Sequence, residues 1–264
     1  MQTVLDGRYA AGRSVVALGM FDGVHIGHQV LLKKGRALAD RCGAPLVACT
    51  FMEHPLSLIA PEKCPPMLTT FDERAALMEA LGVDVLYAMP FDRSVMDMPP
   101  EVYVGNLVRQ FHPTDVVCGY NHTFGKKGGG TPALLSALGG ALGFVTSVVP
   151  RITLRGQEVS STAIRQRIGQ GDVTAARELL GRPYLRQAAV AAHEGGRWEL
   201  YMTPNGKQDV PRGVYRALCS DAEHTWPALV RVKRAGRAVC RLPHATALHD
   251  EMSIRFIANL SVDC

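Results

Sequence analysis

Short apolar runs alternate with segments of helical composition along the first two-thirds of the chain. Apolar runs of about four to eight residues between turn-forming residues are typical of buried strands, and longer amphipathic segments are typical of helices. We predict strands at Ser14 to Met20, Pro45 to Phe51, Val83 to Met89, Asp115 to Gly119 and Phe144 to Val149. We predict helices at His28 to Cys42, Thr70 to Leu81, Glu101 to Gln110, Pro132 to Leu142, Ser160 to Gly169 and Asp172 to Leu180.

The helix predicted at Thr70 to Leu81 has distinct start and stop signals. Thr70-Phe71-Asp72-Glu73 matches a capping box, in which the threonine oxygen and the glutamate carboxylate each accept a backbone N–H. Gly82 is the residue expected to end this helix. Because the capping box explains Thr69 to Arg74, we assign that segment a structural role.

Five apolar strands separated by helices predict an α/β fold with a doubly wound parallel sheet, covered by helices on both faces. Ligands of such sheets bind at the carboxyl ends of the strands. The polar and glycine-rich segments that follow Met20, Phe51 and Gly119 all fall at this edge.

The composition changes after Gly181-Arg182-Pro183, where short β-like stretches separated by turn residues replace the helices. We therefore expect two domains, 1–184 and 185–264, the second a smaller β-barrel-like domain. Its predicted strands are Ala188 to Ala192, Trp198 to Met202, Gly213 to Cys219, Ala228 to Val232, Ala238 to Leu242 and Ser253 to Ile257.

Composition and charge narrow the class of protein. No apolar run approaches the roughly 20 residues of a membrane span, and Met1 to Gly12 lacks the layout of a signal peptide, so we expect a cytoplasmic protein with no membrane partner. The net charge of +5 suits a small anionic ligand, and no basic block is interleaved with aromatic residues, so we expect no nucleic-acid partner. The sequence is compatible with an oligomer.

Seven cysteines are spread widely along the chain, and none forms a C-x-x-C pair. This spacing argues against a disulfide framework and a zinc site, and it favours reduced, mostly buried thiols.

Gly19-Met20-Phe21-Asp22-Gly23-Val24-His25-Ile26-Gly27-His28 leads from the first strand into the first helix. Glycines remove side chains where a backbone approaches a ligand, and a helix start presents free N–H groups to an anion. His25 and His28 can both donate to that anion. We interpret the segment as a phosphate site. The alternatives are a simple glycine-shaped turn with two half-exposed histidines, and a metal site, which lacks carboxylate or cysteine partners.

Further along the chain, Val159-Ser160-Ser161-Thr162-Ala163-Ile164-Arg165 places three hydroxyls and an arginine at a helix start. Such groups can hold a second anion, although an ordinary serine cap with a surface arginine has the same pattern.

Two segments form the expected acceptor side. Phe51-Met52-Glu53-His54-Pro55 and Gly119-Tyr120-Asn121-His122-Thr123-Phe124-Gly125 each follow a strand. Their aromatic, amide and histidine groups suit a planar, mostly apolar ligand with polar edges.

These strings carry a family resemblance. His25 to His28 spells the H-x-G-H signature of nucleotidyltransferases related to class I aminoacyl-tRNA synthetases, and the longer string resembles the prokaryotic FAD synthetase family. Val159 to Arg165 resembles that family's S-S-T-x-I-R motif. Glu53 stands where the family usually has proline, and His122 stands where an aromatic residue is usual.

The resemblance implies that the chain is an FMN adenylyltransferase with ATP and FMN as substrates, and with Mg²⁺ held through the phosphates rather than by a protein metal site. It implies catalytic roles for His25, His28, Ser161 and Arg165. ATP-binding residues would be Gly19, Phe21, Asp22, Gly23, Gly27, Ser160 and Thr162. Flavin-binding residues would be His54, Pro55, Asn121, Phe124 and Gly125.

In the resembling family, a riboflavin kinase domain usually follows a string like Leu179-Leu180-Gly181-Arg182-Pro183-Tyr184. The kinase's G-F-P-T-A-N region is reduced here to Thr203-Pro204-Asn205, although Pro211-Arg212-Gly213-Val214-Tyr215 resembles the segment that follows it. We therefore expect a truncated kinase-like domain without kinase activity. The alternatives are a bifunctional riboflavin kinase/FAD synthetase, a nucleotidyltransferase with another acceptor, and a non-catalytic flavin- or nucleotide-binding regulator.

Overall fold

The computed structural model describes residues 1–194, 196–234, 236–242 and 251–260 of the chain. Its contacts divide the chain into two compact units, Met1–Glu158 and Val159–Cys264. Within the described residues, no helix is long and apolar enough to cross a membrane.

The first unit is an α/β layer structure, as predicted. Its sheet strands are β1 (Gln2–Val4), β2 (Ser14–Leu18), β3 (Leu46–Phe51), β4 (Val85–Met89), β5 (Pro113–Gly119) and β6 (Val145–Val149), and a two-stranded hairpin of β7 (Thr153–Leu154) and β8 (Gln157–Glu158) follows. Its helices are α1 (Ile26–Cys42), α2 (Leu56–Ile59), α3 (Phe71–Glu79), α4 (Arg93–Met96), α5 (Pro100–Phe111) and α6 (Pro132–Leu142).

All six sheet strands are parallel, in the order β1-β4-β3-β2-β5-β6. The central strand β2 is buried along its whole length, because helices cover both of its faces. Alternate residues of the sheet belong to two separate apolar cores: Val16 and Leu18 pack in one with α5 and α6, and Val15 and Ala17 pack in the other with α1 and α3. The carboxyl ends of β2, β3 and β5 therefore lie at one edge, where the predicted site segments begin.

The structure confirms the capping box at Thr70 and Glu73. The predicted end of this helix is wrong, because α3 stops at Glu79 rather than Leu81. Leu81 and Gly82 donate backbone hydrogen bonds only three residues back, to Met78 and Glu79, so the last turn tightens before the left-handed Gly82.

Among the strands and α-helices of the first unit, five short ones have no counterpart in the prediction: β1, α2, α4, β7 and β8. Each has two to four residues per element, which is too short to show a hydrophobic period. Strand β1 is extended because its residues pair with Val85 to Tyr87 at the edge of the sheet.

The second unit contains two helices and a closed barrel, which confirms the expected β-barrel-like domain. The helices are α7 (Ser161–Gly169) and α8 (Val173–Leu180), and the strands are β9 (Tyr184–Glu194), β10 (Arg197–Met202), β11 (Gly213–Ser220), β12 (Thr225–Val232), β13 (Arg237–Arg241) and β14 (Glu251–Asn259). The barrel order is β10-β13-β12-β11-β14-β9, with antiparallel neighbours. The expected domain boundary at residues 184 and 185 stays a prediction.

Six cysteines lie in the described part of the chain as free thiols, four of them buried: Cys49, Cys118, Cys219 and Cys240. Cys264 lies outside the described residues.

Candidate functional site

A strained turn joins β2 to α1. Phe21, Gly23 and Val24 all have positive φ, at 53°, 79° and 38°. A left-handed backbone is easy for glycine but costly for phenylalanine and valine. The side chains of Phe21 and Val24 are 0% and 1% exposed, so their burial in the core offsets this cost.

Two histidines meet at the start of α1. His25 is the N-cap residue, and its Nδ1 accepts the backbone N–H of His28 at 3.3 Å. The two imidazole rings stack with centroids 3.7 Å apart, and the Phe21 ring meets His28 edge-on at 5.3 Å. Because Nδ1 of His25 acts as an acceptor, a neutral His25 carries its proton on Nε2.

The geometry of this helix start is suited to an anion. The 17-residue helix α1 places the positive end of its dipole at this turn. Two imidazoles stacked at the same point add side-chain donors. The arrangement can stabilise negative charge that develops on a phosphate.

The structure explains the glycine at position 19 by local packing rather than by the close approach of a ligand that the sequence suggests. A Cβ at Gly19 would lie 3.0–3.3 Å from the ring atoms of Phe21. The glycine therefore makes room for a buried side chain of the turn itself, and its expected contact with ATP stays a prediction.

Asp22 connects the turn to a neighbouring segment. Its carboxylate is 2% exposed and accepts the backbone N–H of Leu68 at 2.9 Å and that of Thr69 at 3.2 Å. The Thr69 hydroxyl oxygen in turn accepts the N–H of Gly23 at 3.1 Å. Asp22 thus positions the turn, and its expected direct contact with ATP stays a prediction.

Arg74 lies in the segment to which the sequence assigns a structural role, and its long-range contacts make it a positioning residue. Its guanidinium is buried and donates to the carbonyl oxygens of Met20 at 2.9 Å, Phe51 at 2.9 Å and Met52 at 3.0 Å. Burial lowers the pKa of Arg74, and the negative charge of Asp22 partly opposes this shift. One side chain therefore ties together the carboxyl ends of β2 and β3. In the sequence, Arg74 is recognisable only as a residue in the first turn of a capped helix. That position explains the helix but not these long-range hydrogen bonds.

The first expected acceptor segment begins at the end of β3. The ring of His54 is half-buried, and its Nδ1 accepts the N–H of Leu56 at 3.1 Å, next to Pro55. Glu53 is exposed and accepts the Ser57 hydroxyl at 3.5 Å. The family that the sequence resembles usually has proline at position 53, which would restrict the backbone. Glu53 instead forms this local hydrogen bond.

The second expected acceptor segment follows β5. Asn121 is exposed, whereas Phe124 is only 6% exposed and packs at 5.3 Å from the Tyr103 ring. The backbone of Phe124 pairs with Gly130 in a short antiparallel bridge. Gly125 has φ 69°, and a Cβ there would lie 2.7 Å from Pro100, so this position requires glycine.

A cavity of about 380 Å³ lies in the same unit, between α5 and strands β3 and β4. Its walls include Cys49, Tyr87, Met89, Met98 and Tyr103, so it is largely apolar with a few polar groups. The size and lining are typical of a small-molecule pocket. None of the predicted site residues lines it, and no sequence motif indicates it.

Ser160 to Arg165 belong to the second unit. The Ser160 oxygen accepts the N–H of Ala163 at 3.2 Å and caps α7, which confirms that a helix begins here. Ser161 and Arg165 are half-buried and Thr162 is exposed on the first turns of that helix. The structure thus brings together the first phosphate segment and the β3 segment within one unit, and the partnership with Ser160 to Arg165 stays a prediction.

Comparison with known proteins decides the family. A protein-family model described as FAD synthetase matches residues 8–163, which is more than half of the chain. The chain belongs to the FAD synthetase family. It is 34% identical over 177 residues to the bifunctional riboflavin kinase/FMN adenylyltransferase of Listeria monocytogenes, and 32% identical over 180 residues to that of Bacillus subtilis. Each match covers 67% of this chain but only 56% of the relative, so the chain spans little more than half the length of these proteins.

Other comparisons agree. The bifunctional riboflavin kinase/FMN adenylyltransferase of Escherichia coli is 30% identical over 207 residues, which is 76% of this chain and 66% of that protein. A crystal structure titled as a macrolide-efflux protein from Streptococcus pneumoniae has a TM-score of 0.88, covers 98% of this chain and 90% of that one, and is 22% identical. This last likeness shows the fold alone.

His122 is a departure from the FAD synthetase pattern, and its surroundings explain why it is tolerated. Its ring stacks on Phe124 with centroids 5.9 Å apart. Its Nε2 is buried and has no hydrogen-bond partner among the described residues. Burial lowers the pKa of His122 from 6.5 to about 4, so at neutral pH the ring is uncharged and packs as an aromatic side chain.

We expect His122→Phe to reduce the acid sensitivity of the fold. Because the pKa of His122 is lowered in the folded state, protonation favours the unfolded chain. The contribution of His122 is therefore complete above about pH 6.5 and is lost as pH falls toward 4. Urea unfolding at pH 7, 6, 5 and 4.5 measures this difference. Identical pH slopes for the two proteins would show that His122 is not buried in its neutral form.

Proposed function

We propose that the protein is an FMN adenylyltransferase, which transfers AMP from ATP to FMN and releases FAD and pyrophosphate. The observation that carries this proposal is the stacked pair of His25 and His28 at the start of α1, just beyond the carboxyl end of β2. Transfer at a phosphorus atom needs alignment and stabilisation of negative charge more than it needs covalent help from the protein.

In the proposed reaction, an oxygen of the FMN phosphate attacks the α-phosphorus of ATP, and the bond to the β-phosphate oxygen breaks. A phosphate nucleophile is already ionised at neutral pH, so no general base is needed. His25 and His28 donate to the phosphate oxygens where negative charge increases. Ser160, Ser161, Thr162 and Arg165 are proposed to hold the leaving pyrophosphate, because hydroxyls and a guanidinium fork suit its oxygens.

The acceptor side of the proposal has three supports. His54 and Pro55 follow β3, and Asn121, Phe124 and Gly125 follow β5, at the same edge of the sheet as the histidine pair. The buried Phe124 fixes the segment that carries the exposed Asn121. The apolar cavity beneath α5 is a candidate for part of the flavin ring, since it is lined by Met and Tyr side chains.

Magnesium is proposed to enter with ATP, held by the phosphate oxygens. Among the described residues, no group of three or more His, Cys, Asp or Glu side chains is arranged to hold a metal ion. Asp22, the carboxylate of the turn, already accepts the N–H groups of Leu68 and Thr69. We therefore propose that the phosphate oxygens, rather than protein side chains, would hold the ion.

We further propose that the second unit lacks riboflavin kinase activity, although the relatives carry both names. Although its barrel is closed, only Thr203-Pro204-Asn205 matches the kinase's glycine-rich string. A bifunctional enzyme is the second candidate function, favoured by the intact barrel. The cytoplasmic location stays a prediction.

Incubation with ATP, Mg²⁺ and either FMN or riboflavin, followed by separation of the flavins, tests both proposals. We expect FAD from FMN and no product from riboflavin. FMN or FAD formed from riboflavin, and lost in Asn205→Ala, would establish the bifunctional enzyme. Tight binding of FMN without any FAD would instead establish a regulator that has lost catalysis.

A further inference from the structure

A second cavity, of about 590 Å³, lies on the barrel, where β11 begins and β12 ends. The two strands pair there with Gly213 opposite Val232 and Val214 opposite Arg231. Four of the residues that line the cavity are cationic: Arg212, Arg231, Lys233 and Arg234. The proposed adenylyl transfer uses none of them.

The strand alternation explains why these charges share one surface. Along β12, buried residues such as Val230 and Val232 point into the barrel, so Arg231 points outward. Lys233 continues the outward series, and Arg212 precedes β11 on the adjoining strand. All four cationic residues are exposed.

Within the described part of the barrel, no acidic side chain pairs with the four cations of this cavity. Within the described residues, neighbouring Arg237 forms an ion pair with Glu199 at 3.7 Å, but no side-chain ion pair or hydrogen bond is present for Arg212, Arg231, Lys233 or Arg234. Four like charges around one concavity raise its positive potential and attract anions. An ordinary solvated face is the competing explanation, since exposed charges are well screened.

The chemistry of the lining indicates the kind of anion. Arginine forks match phosphate oxygens, and several cations together suit several phosphate charges. The volume lies in the range of small-molecule pockets, and the lining has no aromatic ring on which a base could stack. We propose that this cavity binds a small molecule through two or more linked phosphate groups.

Hydrogen exchange of the full-length protein with inorganic tripolyphosphate tests this proposal. We expect protection of the segments 211–218 and 228–234, and about a ten-fold or greater loss of affinity at that site in Arg212→Gln/Arg231→Gln. The matched control is Arg241→Gln/Arg255→Gln, which removes the same charge from two exposed barrel arginines outside the cavity lining. This control should keep the protection.

Other outcomes overturn the proposal. Protection confined to the segment around His25 and His28 would show phosphate binding only at the proposed transfer site. Protection by a single-stranded oligonucleotide but not by tripolyphosphate would assign the cavity to nucleic acid, and protection by neither would show a solvated face. FAD formation from FMN, measured in parallel, should be unchanged in Arg212→Gln/Arg231→Gln, so the two proposals can fail separately.

Discussion

Replacing His28 by alanine is expected to lower kcat for FAD formation by about 10²–10³-fold, the usual cost of removing one donor from developing negative charge. The His28 side chain stacks on His25 and contacts Phe21, but its backbone N–H, not its ring, completes the His25 cap. Helix α1 should therefore keep its start in the variant. Steady-state rates with ATP and FMN measure the effect, and unfolding by urea checks that the fold persists.

Two further variants separate chemistry from packing. His28→Asn retains a side-chain donor and should recover part of the lost rate, whereas a purely structural role would give no such recovery. His224→Ala removes an exposed imidazole of the barrel and should leave kcat unchanged. An unaltered rate in His28→Ala would refute the role given to His28.

Replacing Arg74 by methionine is expected to reduce the free energy of unfolding by about 3–5 kcal/mol, because three carbonyl oxygens lose a charged donor at about 1–3 kcal/mol each. The change leaves the carbonyl oxygens of Met20, Phe51 and Met52 without their guanidinium donors. The Met20 carbonyl keeps one bond, from the Thr50 hydroxyl at 3.0 Å. Urea denaturation at pH 7 measures the loss.

The controls for Arg74 separate lost charge from lost geometry. Arg41→Met removes an exposed arginine from the last turn of α1 and should change stability by no more than about 0.5 kcal/mol. Arg74→Lys keeps the charge, but lysine has no planar fork that could reach three carbonyls. We therefore expect its loss of stability to lie between those of Arg41→Met and Arg74→Met. A loss below about 1 kcal/mol in Arg74→Met would contradict the proposed tie between β2 and β3.

Much of the fold follows from hydrophobic period and local signals. The strands of the sheet and barrel repeat short apolar runs, and Thr70 with Glu73 marks a helix start unambiguously. The end of α3 was misplaced because a glycine signals where the chain reverses, not where the last i to i−4 bond forms. Strand β1 was missed because pairing with β4, rather than its own three residues, makes it a strand.

The sequence motifs predict which residues belong to the candidate site. They do not predict the contacts that hold those residues in place. Histidine spacing identified His25 and His28, whereas their stacking depends on the left-handed turn at Phe21 and Val24. The long-range bonds of Arg74 join parts of the chain more than 20 residues apart, which no local pattern encodes. The roles of Ser160 to Arg165 and of the flavin segments stay predictions.

The closure of the barrel also affects which part of the chain aggregates when the protein is heated or concentrated. In a closed ring of six strands, every described strand has a neighbour on both sides, so the barrel presents no edge strand to another molecule. The parallel sheet instead has two edge strands, β1 and β6, and at β6 the side chains of Val145 and Val148 are 63% and 38% exposed. Concentrated or heated samples should therefore begin to aggregate through the β6 edge, while the barrel resists strand exchange.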